Sequence, residues 1–399
     1  MRKVLFINDG PRWKTSTNVY FGKVEDINLI NRYLHLGDSV DFLMRSNLKD
    51  ISDNNLIFAN HNSKFIEVPT FNRPSSFYKI FKAKRIIRET IKHYDVLIIR
   101  LPSTIGSIAL SLTKKSNIPY IVEVVGCPYD TLSNYSLLGK IYAPFAMKKL
   151  KCHVLNAERV VYVTQKYLQS KYPSNGICMC ASDVILTSFD ETVMVDKKQR
   201  YQTINKNNII HIATMGAVNV PYKGHDIVLK ALSVLKNEGI TNIRYHIAGL
   251  GGQERLRNIC TEYDIENFVI FEGAIPHNEI NRFLKTIDIY VHPSRTEGLP
   301  RSIVEAMSVG CVCIGSNAGG IPELLDSKVV FENNSVSDFI KQFKNIYLNN
   351  QELVKQSEIN YNKALSFDFN VLEQKRQKFY IDFLKDKFNY ESTSTAGNN

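Results

Sequence analysis

Residues 288–325 read DIYVHPSRTEGLPRSIVEAMSVGCVCIGSNAGGIPELL, and this stretch places two glutamates on either side of a predicted helix start. Pro300 suits the first position of that helix, because proline lacks the N–H that would be unpaired there. Glu297 then lies in the loop above a strand, and Glu305 lies in the second helical turn. Residues 309–314 predict a second strand, which is followed by a Gly-Gly turn and another short helix. This pattern predicts strands joined by helices, with both carboxylates at one end of the sheet.

Two isolated glutamates at such positions are most often solvated surface groups. Here they lie between a strand that ends in His292-Pro293-Ser294 and the Gly319-Gly320 turn. Over about forty residues the run resembles the E-x7-E signature of retaining glycosyltransferases of family four. The resemblance implies the GT-B fold, an α/β architecture in which two Rossmann-like parallel-sheet domains face each other across a cleft.

The bulk properties are those of a folded α/β protein. The chain has 399 residues, of which 44% are hydrophobic and 22% charged, and it suits two domains at roughly 150 residues each. Its apolar runs have strand length, and none approaches the roughly 20 residues of a membrane span. Only four apolar residues follow Arg2 and Lys3 before Asn8, so we expect a first strand there and not a signal peptide. These features predict a cytoplasmic protein without a transmembrane helix.

The seven cysteines are irregularly spaced, which predicts reduced thiols. In the pairs Cys178/Cys180 and Cys311/Cys313, both thiols would lie on one face of a strand, without a histidine at zinc-site spacing. We expect buried strand cysteines at both pairs rather than a metal site.

The net charge of +11 is concentrated in the first half of the chain. Residues 1–205 hold 29 Lys and Arg against 17 Asp and Glu, whereas residues 206–399 hold 21 against 22. A basic half beside a neutral half indicates an anionic partner, either nucleic acid or a membrane surface. Since the chain has no recognisable nucleic-acid-binding motif, we expect no nucleic acid as partner.

Short β-branched runs alternate with helical stretches in both halves, which predicts parallel sheets covered by helices. Strands are expected at residues 3–7, 40–44, 96–100, 120–125 and 160–164, and again at 209–215, 245–248, 269–271, 289–292 and 312–314. The expected domains are 1–200 and 206–368, with a polar hinge lacking helical periodicity at 187–208. Residues 369–388 predict a helix that, by the resemblance, crosses back to the first domain, and residues 389–399 predict a frayed tail.

The resemblance implies a donor site for a nucleotide sugar, with UDP or GDP as the nucleotide. In the family a Lys-Gly pair at a helix start binds the donor phosphates, and Lys223-Gly224 matches it, although such a lysine is otherwise most often solvated. Glu305 would accept hydrogen bonds from the ribose hydroxyls. Glu297 would lie beside the donor sugar and, with Lys223, carry the catalytic role. The implied donor-binding set is Gly216, Lys223, Gly249, Arg295, Glu297, Gly298, Leu299, Arg301, Glu305, Asn317, Gly319 and Gly320.

The chain departs from the family where a Gly-Arg pair usually supplies a second cation for the phosphates. It has Gly216-Ala217 there. Arg295 and Arg301, on either side of the first glutamate, are candidate substitutes. A catalytically weak relative that acts as a binding partner is the alternative.

The two glutamates also suggest a glycosidase. In such an enzyme two carboxyl groups, the acid and the nucleophile, lie about 5–10 Å from each other and face the bond that is broken. That interpretation leaves the phosphate-binding residues unexplained. The resemblance implies front-face displacement with retention, in which the leaving phosphate helps to deprotonate the acceptor. The chain contains no D-x-D sequence, so we expect neither metal nor cofactor, and cations and helix dipoles would stabilise the leaving group.

The acceptor is expected on the first domain. Its strand at residues 120–125 contains Glu123 and leads into Pro128-Tyr129-Asp130, which resembles the acceptor-side loop of related bacterial enzymes. Glu123 and Asp130 are candidates to orient an acceptor hydroxyl. A structural strand-end carboxylate and an Asx turn explain them equally well.

Residues 77–92 predict a basic amphipathic helix. Such a helix can lie on anionic lipid, where each basic side chain contributes about 1 kcal/mol, or it can be a solvated face packed on the sheet. We expect the basic residues to face the inner side of the cell membrane, where a lipid-linked oligosaccharide acceptor would lie; they are Lys79, Lys82, Arg85, Arg88 and Lys92.

The sequence thus predicts a retaining, metal-independent glycosyltransferase that moves a sugar from a UDP- or GDP-sugar to a lipid-linked glycan in capsule or O-antigen biosynthesis. A sugar-nucleotide epimerase or hydrolase of the same fold is the rival enzyme.

Overall fold

Two parallel sheets, one in each half of the chain, form the framework of the structure. The computed structural model describes residues 1–51, 55–71, 74–113, 116–133, 137–187 and 189–388. The tail expected at 389–399 lies outside these residues. The strands in the described part are β1 Lys3–Ile7, β2 Arg12–Lys14, β3 Tyr20–Lys23, β4 Ser39–Met44, β5 Ser46–Leu48, β6 Asn55–Ile57, β7 Phe65–Glu67, β8 Val96–Leu101, β9 Tyr120–Val124, β10 Arg159–Tyr162, β11 Ile177–Cys180, β12 Ile210–Met215, β13 Ile243–Ala248, β14 Val269–Gly273, β15 Ile289–His292, β16 Val312–Ser316 and β17 Val330–Phe331.

Helices connect the strands and cover the two sheets. They are α1 Asp26–Tyr33, α2 Ile80–Ile91, α3 Thr104–Thr113, α4 Pro128–Ser133, α5 Leu137–Leu155, α6 Tyr167–Lys171, α7 Thr192–Thr203, α8 His225–Asn237, α9 Glu254–Glu262, α10 Ile280–Lys285, α11 Arg301–Ser308, α12 Ile321–Leu324, α13 Val336–Ile346, α14 Asn350–Leu365 and α15 Phe369–Phe388. None of those in the described residues is both long enough and apolar enough to cross a bilayer.

The first sheet has the order β11-β10-β9-β8-β1-β4-β7 and the second has the order β14-β13-β12-β15-β16-β17. All strand pairs in both sheets are parallel. Every strand expected from the sequence is present, with ends shifted by at most two residues. Buried parallel strands read as continuous apolar runs, which is why they were recognisable. The loops that follow the strands meet in the cleft, where ligands of such sheets bind.

A third, smaller sheet in the first domain was not expected from the sequence. It has the order β5-β2-β3-β6 and mixes parallel and antiparallel pairs. Its strands are only three or four residues long, too short to show a period-2 pattern.

Helix α7 contradicts the expectation that residues 187–208 form a hinge without a helix. Tyr201 is fully buried and donates a hydrogen bond to the Asp288 carbonyl at 2.6 Å, and Arg200 forms an ion pair with the Asp288 carboxylate at 3.0 Å. The helix therefore packs on the second sheet, so residues 192–200, expected in the first domain, lie with the second. The inward face includes Lys197 between Val193 and Tyr201, and this lysine hid the apolar periodicity.

The chain crosses between the domains twice, and the two crossings lie side by side. Leu186 forms an isolated parallel bridge with Asp368, and the Phe369 N–H donates to the Leu186 carbonyl at 2.8 Å. After this point α15 runs along the first domain, where Glu373 pairs with Arg32 at 3.1 Å and Arg2 lies over the Phe388 ring.

The two cysteine pairs have different environments. Cys311 and Cys313 are buried in the core of the second domain, as expected. Cys178 and Cys180 are exposed, so the expectation was wrong for them. The reason is that β11 is an edge strand with a single neighbour, β10.

Candidate active site

The loops of the donor set pack on one another through glycine backbones. Gly224 has φ +72°, and a Cβ there would overlap the Pro293 carbonyl oxygen. Gly249 contacts Gly216 in the same way. The Gly320 N–H donates to the Gly298 carbonyl at 2.8 Å. Because glycine alone permits these approaches, four separate loops meet at one place at the carboxyl ends of β12, β13, β15 and β16.

Glu297 is the centre of a hydrogen-bonded cluster. Its Oε1 accepts from Lys223 Nζ at 2.6 Å, from Ser294 Oγ at 2.7 Å and from His292 Nε2 at 2.9 Å. Lys223 ends a short 3₁₀ turn, and Gly224 then caps the N-terminus of α8. The structure therefore brings the two expected catalytic residues into direct contact.

The cluster sets the charge of its members. Burial alone would raise the pKa of Glu297, but its hydrogen bond to His292 and the charges of His292 and Lys223 lower this pKa to about 2. Burial lowers the pKa of His292. The arrangement is an ionised carboxylate that holds the Lys223 ammonium group and accepts from the His292 ring on its other side.

Glu305 has the opposite environment. It lies in the second turn of α11, which begins at Arg301. Pro300 is the N-cap of this helix and not its first residue, so the proline stands one position earlier than expected. Burial raises the pKa of Glu305, although Arg301 and His277 act against this. Within the described part of the chain, no hydrogen bond reaches its carboxylate. A half-buried carboxylate without a donor is suited to accept hydrogen bonds from a ligand's hydroxyls.

Arg295 and Asn317 belong to the donor set, but their side chains bind other protein groups. The Arg295 guanidinium forms two hydrogen bonds with Asp226, at 3.0 and 2.7 Å, and a third with Asn334. The Asn317 amide donates to Glu332 at 2.6 Å. The Arg295 side chain is therefore already paired within the protein. It is not a free cation that could replace the arginine missing at position 217.

Arg301 instead borders a cavity of about 420 Å³ between the domains. Leu299 lies beside it on the second domain, and Arg12, Lys23, Arg32 and Arg100 contribute four cations from the first domain. Arg12, Arg32 and Arg100 are paired with carboxylates. Arg301 is exposed and has no ion pair within the described residues, so it is the better substitute.

The expected acceptor carboxylates have different positions. Glu123 is buried, and its two oxygens accept from Tyr33 Oη at 2.8 Å and from Arg100 at 3.4 Å. Arg100 also pairs with Asp183, as does Arg32. This network joins β8 and β9 to the crossing near α15, and the geometry favours a structural role for Glu123.

Asp130 lies closer to the surface, in the first turn of α4. Its carboxylate accepts from Lys171 Nζ at 3.1 Å and from Tyr167 Oη. Both partners come from α6, so this helix sets the position of the loop that was expected to meet the acceptor.

The basic helix expected at residues 77–92 is α2, preceded by a 3₁₀ turn at Pro74–Lys79. Ala83, Ile87 and Ile91 are buried, whereas Phe77 and Phe81 are 63% and 75% exposed. Of the cations expected to face the membrane, Lys82, Arg85, Arg88 and Lys92 are exposed and Lys79 is partly exposed.

A second exposed apolar surface lies on the first half of α5 and was not found from the sequence. Its large side chains are between 58% and 79% exposed; they are Leu137, Leu138, Ile141, Tyr142 and Phe145. The helix contains lysines but no acidic residue. Burial and the charge of Lys84 on α2 lower the pKa of Lys149 on α5, and α3 packs against both helices.

The sequence reasoning also missed His292, Ser294 and His277 as neighbours of the glutamates. The first two stand immediately before the motif, at the end of β15, and this position was the available signal. His277 is distant in sequence and gives no local signal. Within the residues that the structure describes, no group of three or more His, Cys, Asp and Glu side chains is arranged to hold a metal ion.

Comparison with known proteins places this geometry in a family. Residues 196–363 match the family model "Glycosyl transferases group 1". The chain is 32% identical over 394 residues to Protein CapJ of Staphylococcus aureus, covering 96% of each chain. It is 35% identical over 112 residues to the putative colanic acid biosynthesis glycosyltransferase WcaL of Escherichia coli, covering 26% of this chain and 27% of WcaL.

Among solved structures, HepE of Anabaena in complex with UDP-glucose superposes with a TM-score of 0.65 at 15% identity, covering 96% of this chain and 100% of HepE. That likeness supports the GT-B fold, and the expected fold class is confirmed. The family match and the near full-length relative agree with the motif that spans Glu297 and Glu305. The chain belongs to the group 1 glycosyl transferases.

Proposed function

We propose that this protein transfers a sugar, with retention and without a metal ion, from a UDP- or GDP-sugar to a lipid-linked glycan during the synthesis of a capsule, O-antigen or related polysaccharide. The observation that carries the proposal is the pairing of two unlike glutamates. Glu297 is ionised and holds Lys223, and Glu305 is half-buried without a hydrogen-bond donor in the described residues. Such a pair matches a ligand that carries both phosphates and hydroxyls.

In this proposal Lys223 exchanges partners when the donor binds. Its ammonium group moves from Glu297 to the diphosphate, where a point charge stabilises the departing UDP or GDP. Glu305 accepts from the ribose hydroxyls. The backbone N–H groups of Gly298 and Leu299 hold the donor sugar, and the Gly319 N–H faces the phosphates, whereas the Gly320 N–H stays bonded to the Gly298 carbonyl.

The chemical step forms a bond from the acceptor oxygen to the anomeric carbon and breaks the bond from that carbon to the diphosphate. The acceptor proton passes to the leaving phosphate oxygen on the same face, so configuration is retained and neither glutamate becomes a nucleophile. Arg301 supplies the cation that the Ala217 position lacks. It is the exposed arginine beside Leu299 on the cleft cavity.

The relatives support the nature of the donor and the product. HepE binds UDP-glucose in its solved structure. WcaL is named for colanic acid biosynthesis. Both facts concern those proteins, and we extend them here to this chain.

The acceptor would be presented at an anionic membrane. We propose that the cations of α2 and the exposed apolar side chains of α5 rest together on the inner face of the cell membrane. Clustered apolar exposure of this size is unusual for a protein surface that faces only water, and the lysines of α5 complement anionic lipid. The protein would then be a peripheral, cytoplasmic enzyme.

A thermal-shift screen with UDP-glucose, UDP-N-acetylglucosamine and GDP-mannose tests the donor proposal. A donor that binds should raise the Tm by mass action, and Glu305→Ala should abolish the rise. No shift with any nucleotide sugar would overturn it. If the bound donor is consumed rapidly without acceptor, an epimerase or hydrolase is the better assignment. If Glu305→Ala leaves polysaccharide production in the cell unchanged, the protein acts as a non-catalytic partner.

A further inference from the structure

Glu323 makes an unusual contact across the cleft. It lies on α12 of the second domain, and its carboxylate accepts three backbone N–H groups at the start of α6 in the first domain. Gln165 N donates at 2.6 Å and Lys166 N at 3.0 Å, and Tyr167 N is the third donor. A carboxylate at a helix N-terminus gains from charge-assisted hydrogen bonds and from the helix dipole.

On the second-domain side, Glu323 is tied to the loop expected to meet the donor phosphates. It follows Gly320 by three residues, and Gly320 is bonded to Gly298. A Cβ on Gly320 would lie 3.0 Å from the Thr164 methyl group. The Thr164 hydroxyl in turn accepts from the Leu168 N–H of α6 at 3.0 Å. The donor loop and the start of α6 are therefore in contact at two points.

On the first-domain side, α6 holds the Asp130 loop. Tyr167, whose N–H binds Glu323, donates through its hydroxyl to Asp130. Lys171, one turn further along, reaches Asp130 and lies 2.7 Å from the Tyr167 hydroxyl. The donor loop is thus connected to Asp130 through the Glu323 carboxylate, the first turn of α6 and the side chains of Tyr167 and Lys171.

We propose that Glu323 is a positioning residue for transfer: it holds α6, and through α6 the Asp130 loop, against the donor loop. The inference rests on the proposed sugar transfer. Glu323 makes no hydrogen bond or ion pair with Glu297 or Lys223. It acts on the placement of the acceptor side relative to the donor, and placement errors of about 1 Å can cost a hundredfold in rate.

The first test is hydrogen–deuterium exchange on the full chain without ligand. Glu323→Ala should speed the exchange of the amides of residues 165–167 by about tenfold or more, because their acceptor is gone. Glu323→Gln should give an intermediate rate, since its amide has a single acceptor oxygen. The control is Glu262→Ala, an exposed glutamate on α9, which should leave these amides unchanged. Unchanged exchange in Glu323→Ala would overturn the inference.

The second test separates positioning from stability. The transfer of glucose from UDP-glucose is measured well below the Tm, with membranes of cells that make the polysaccharide as the source of the acceptor. In Glu323→Ala we expect kcat to fall about tenfold while KM for UDP-glucose stays within about twofold, with partial recovery in Glu323→Asp. A lower Tm with unchanged kcat would mean that Glu323 only caps a helix, and it would refute the inference. If the wild-type protein does not bind UDP-glucose at all, the proposed function fails with that donor, and the exchange result then decides on the Glu323 contact by itself.

Discussion

The two sides of the cleft are built differently. On the second domain most polar groups of the site already have protein partners: Glu297 is bonded three times, and Arg295 and Asn317 are also occupied. The first half of the chain, residues 1–205, carries the whole excess of positive charge, and the first domain exposes large apolar side chains on α2 and α5. In the proposed function, the second-domain side is preformed for the nucleotide-sugar donor and the first-domain side meets the membrane surface.

The largest expected effect concerns the preformed side. Lys223→Ala should lower donor turnover about 100-fold or more, because the departing diphosphate loses the cation that stabilises its charge. Turnover is measured as UDP release from UDP-glucose.

The matched control for this substitution is Lys230→Ala, an exposed lysine on α8, the helix that follows Lys223, which should leave turnover unchanged. A loss of less than about fivefold in Lys223→Ala would show that another cation, with Arg301 as the first candidate, carries the leaving group.

Glu305→Gln should weaken UDP-glucose binding about 10- to 100-fold, since the ribose hydroxyls lose a charged acceptor. The variant should be at least as stable as the wild type at pH 7. Burial raises the folded-state pKa of Glu305 above its unfolded value, so the ionised form costs free energy in the folded protein at neutral pH, and glutamine removes that cost.

Calorimetric titration with UDP-glucose and a thermal melt measure these two effects of Glu305→Gln. A lower Tm together with unchanged affinity would assign Glu305 to structure rather than to the donor.

The surface-binding side is tested by the triple substitution Leu138→Ser, Ile141→Ser and Phe145→Ser. Binding to phosphatidylglycerol vesicles should weaken at least about tenfold, because three apolar side chains no longer enter the bilayer. Co-sedimentation measures the binding, and UDP-glucose affinity should not change.

Leu48→Ser is the matched control, since Leu48 is 72% exposed elsewhere on the first domain. Unchanged vesicle binding in the triple variant would exclude α5 from the membrane surface. If the wild-type protein is a dimer and the triple variant a monomer, the α5 face covers a second copy of the chain instead.

The smallest expected effect is the pH dependence of the Glu297 cluster. The folded-state pKa of Glu297 is about 2, below its ordinary value of 4.5, so its stabilising contribution is complete above pH 4.5 and is lost as the pH falls towards 2. The difference in unfolding free energy between the wild type and Glu297→Gln should therefore not shrink between pH 8 and pH 5, and it should shrink below pH 4.5. Denaturant unfolding at several pH values measures it, and a difference that already shrinks between pH 8 and pH 6 would contradict the assignment.

Much of the fold was predictable because its two main sheets are parallel and buried. Their strands form short apolar runs that need no partner to be recognised. Elements whose character depends on a neighbour were missed: α7 is helical because Tyr201 and Arg200 bind Asp288 far along the chain. The exposed Cys178 and Cys180 have the same cause, since the sequence does not show which strand lies at the edge of a sheet.

The candidate site was likewise predicted only in part from the sequence. Glu297, Glu305 and Lys223 were identified because the resemblance supplies residue types at fixed spacing. The occupation of Arg295 by Asp226 was not, because the two residues lie 69 positions apart. The apolar face of α5 was also missed, since an apolar helix reads as buried until its neighbours are known.

By itself the sequence determined the α/β architecture, the glutamate pair, the missing arginine at Ala217 and the basic first half. These are properties of residue type and local spacing. Only the tertiary structure decided that Lys223 is held by Glu297, that Arg295 is occupied while Arg301 borders the cleft, and that Glu323 joins the two domains. The reason is physical: charge, burial and hydrogen bonding depend on the groups that surround a side chain, and those groups come from distant parts of the chain.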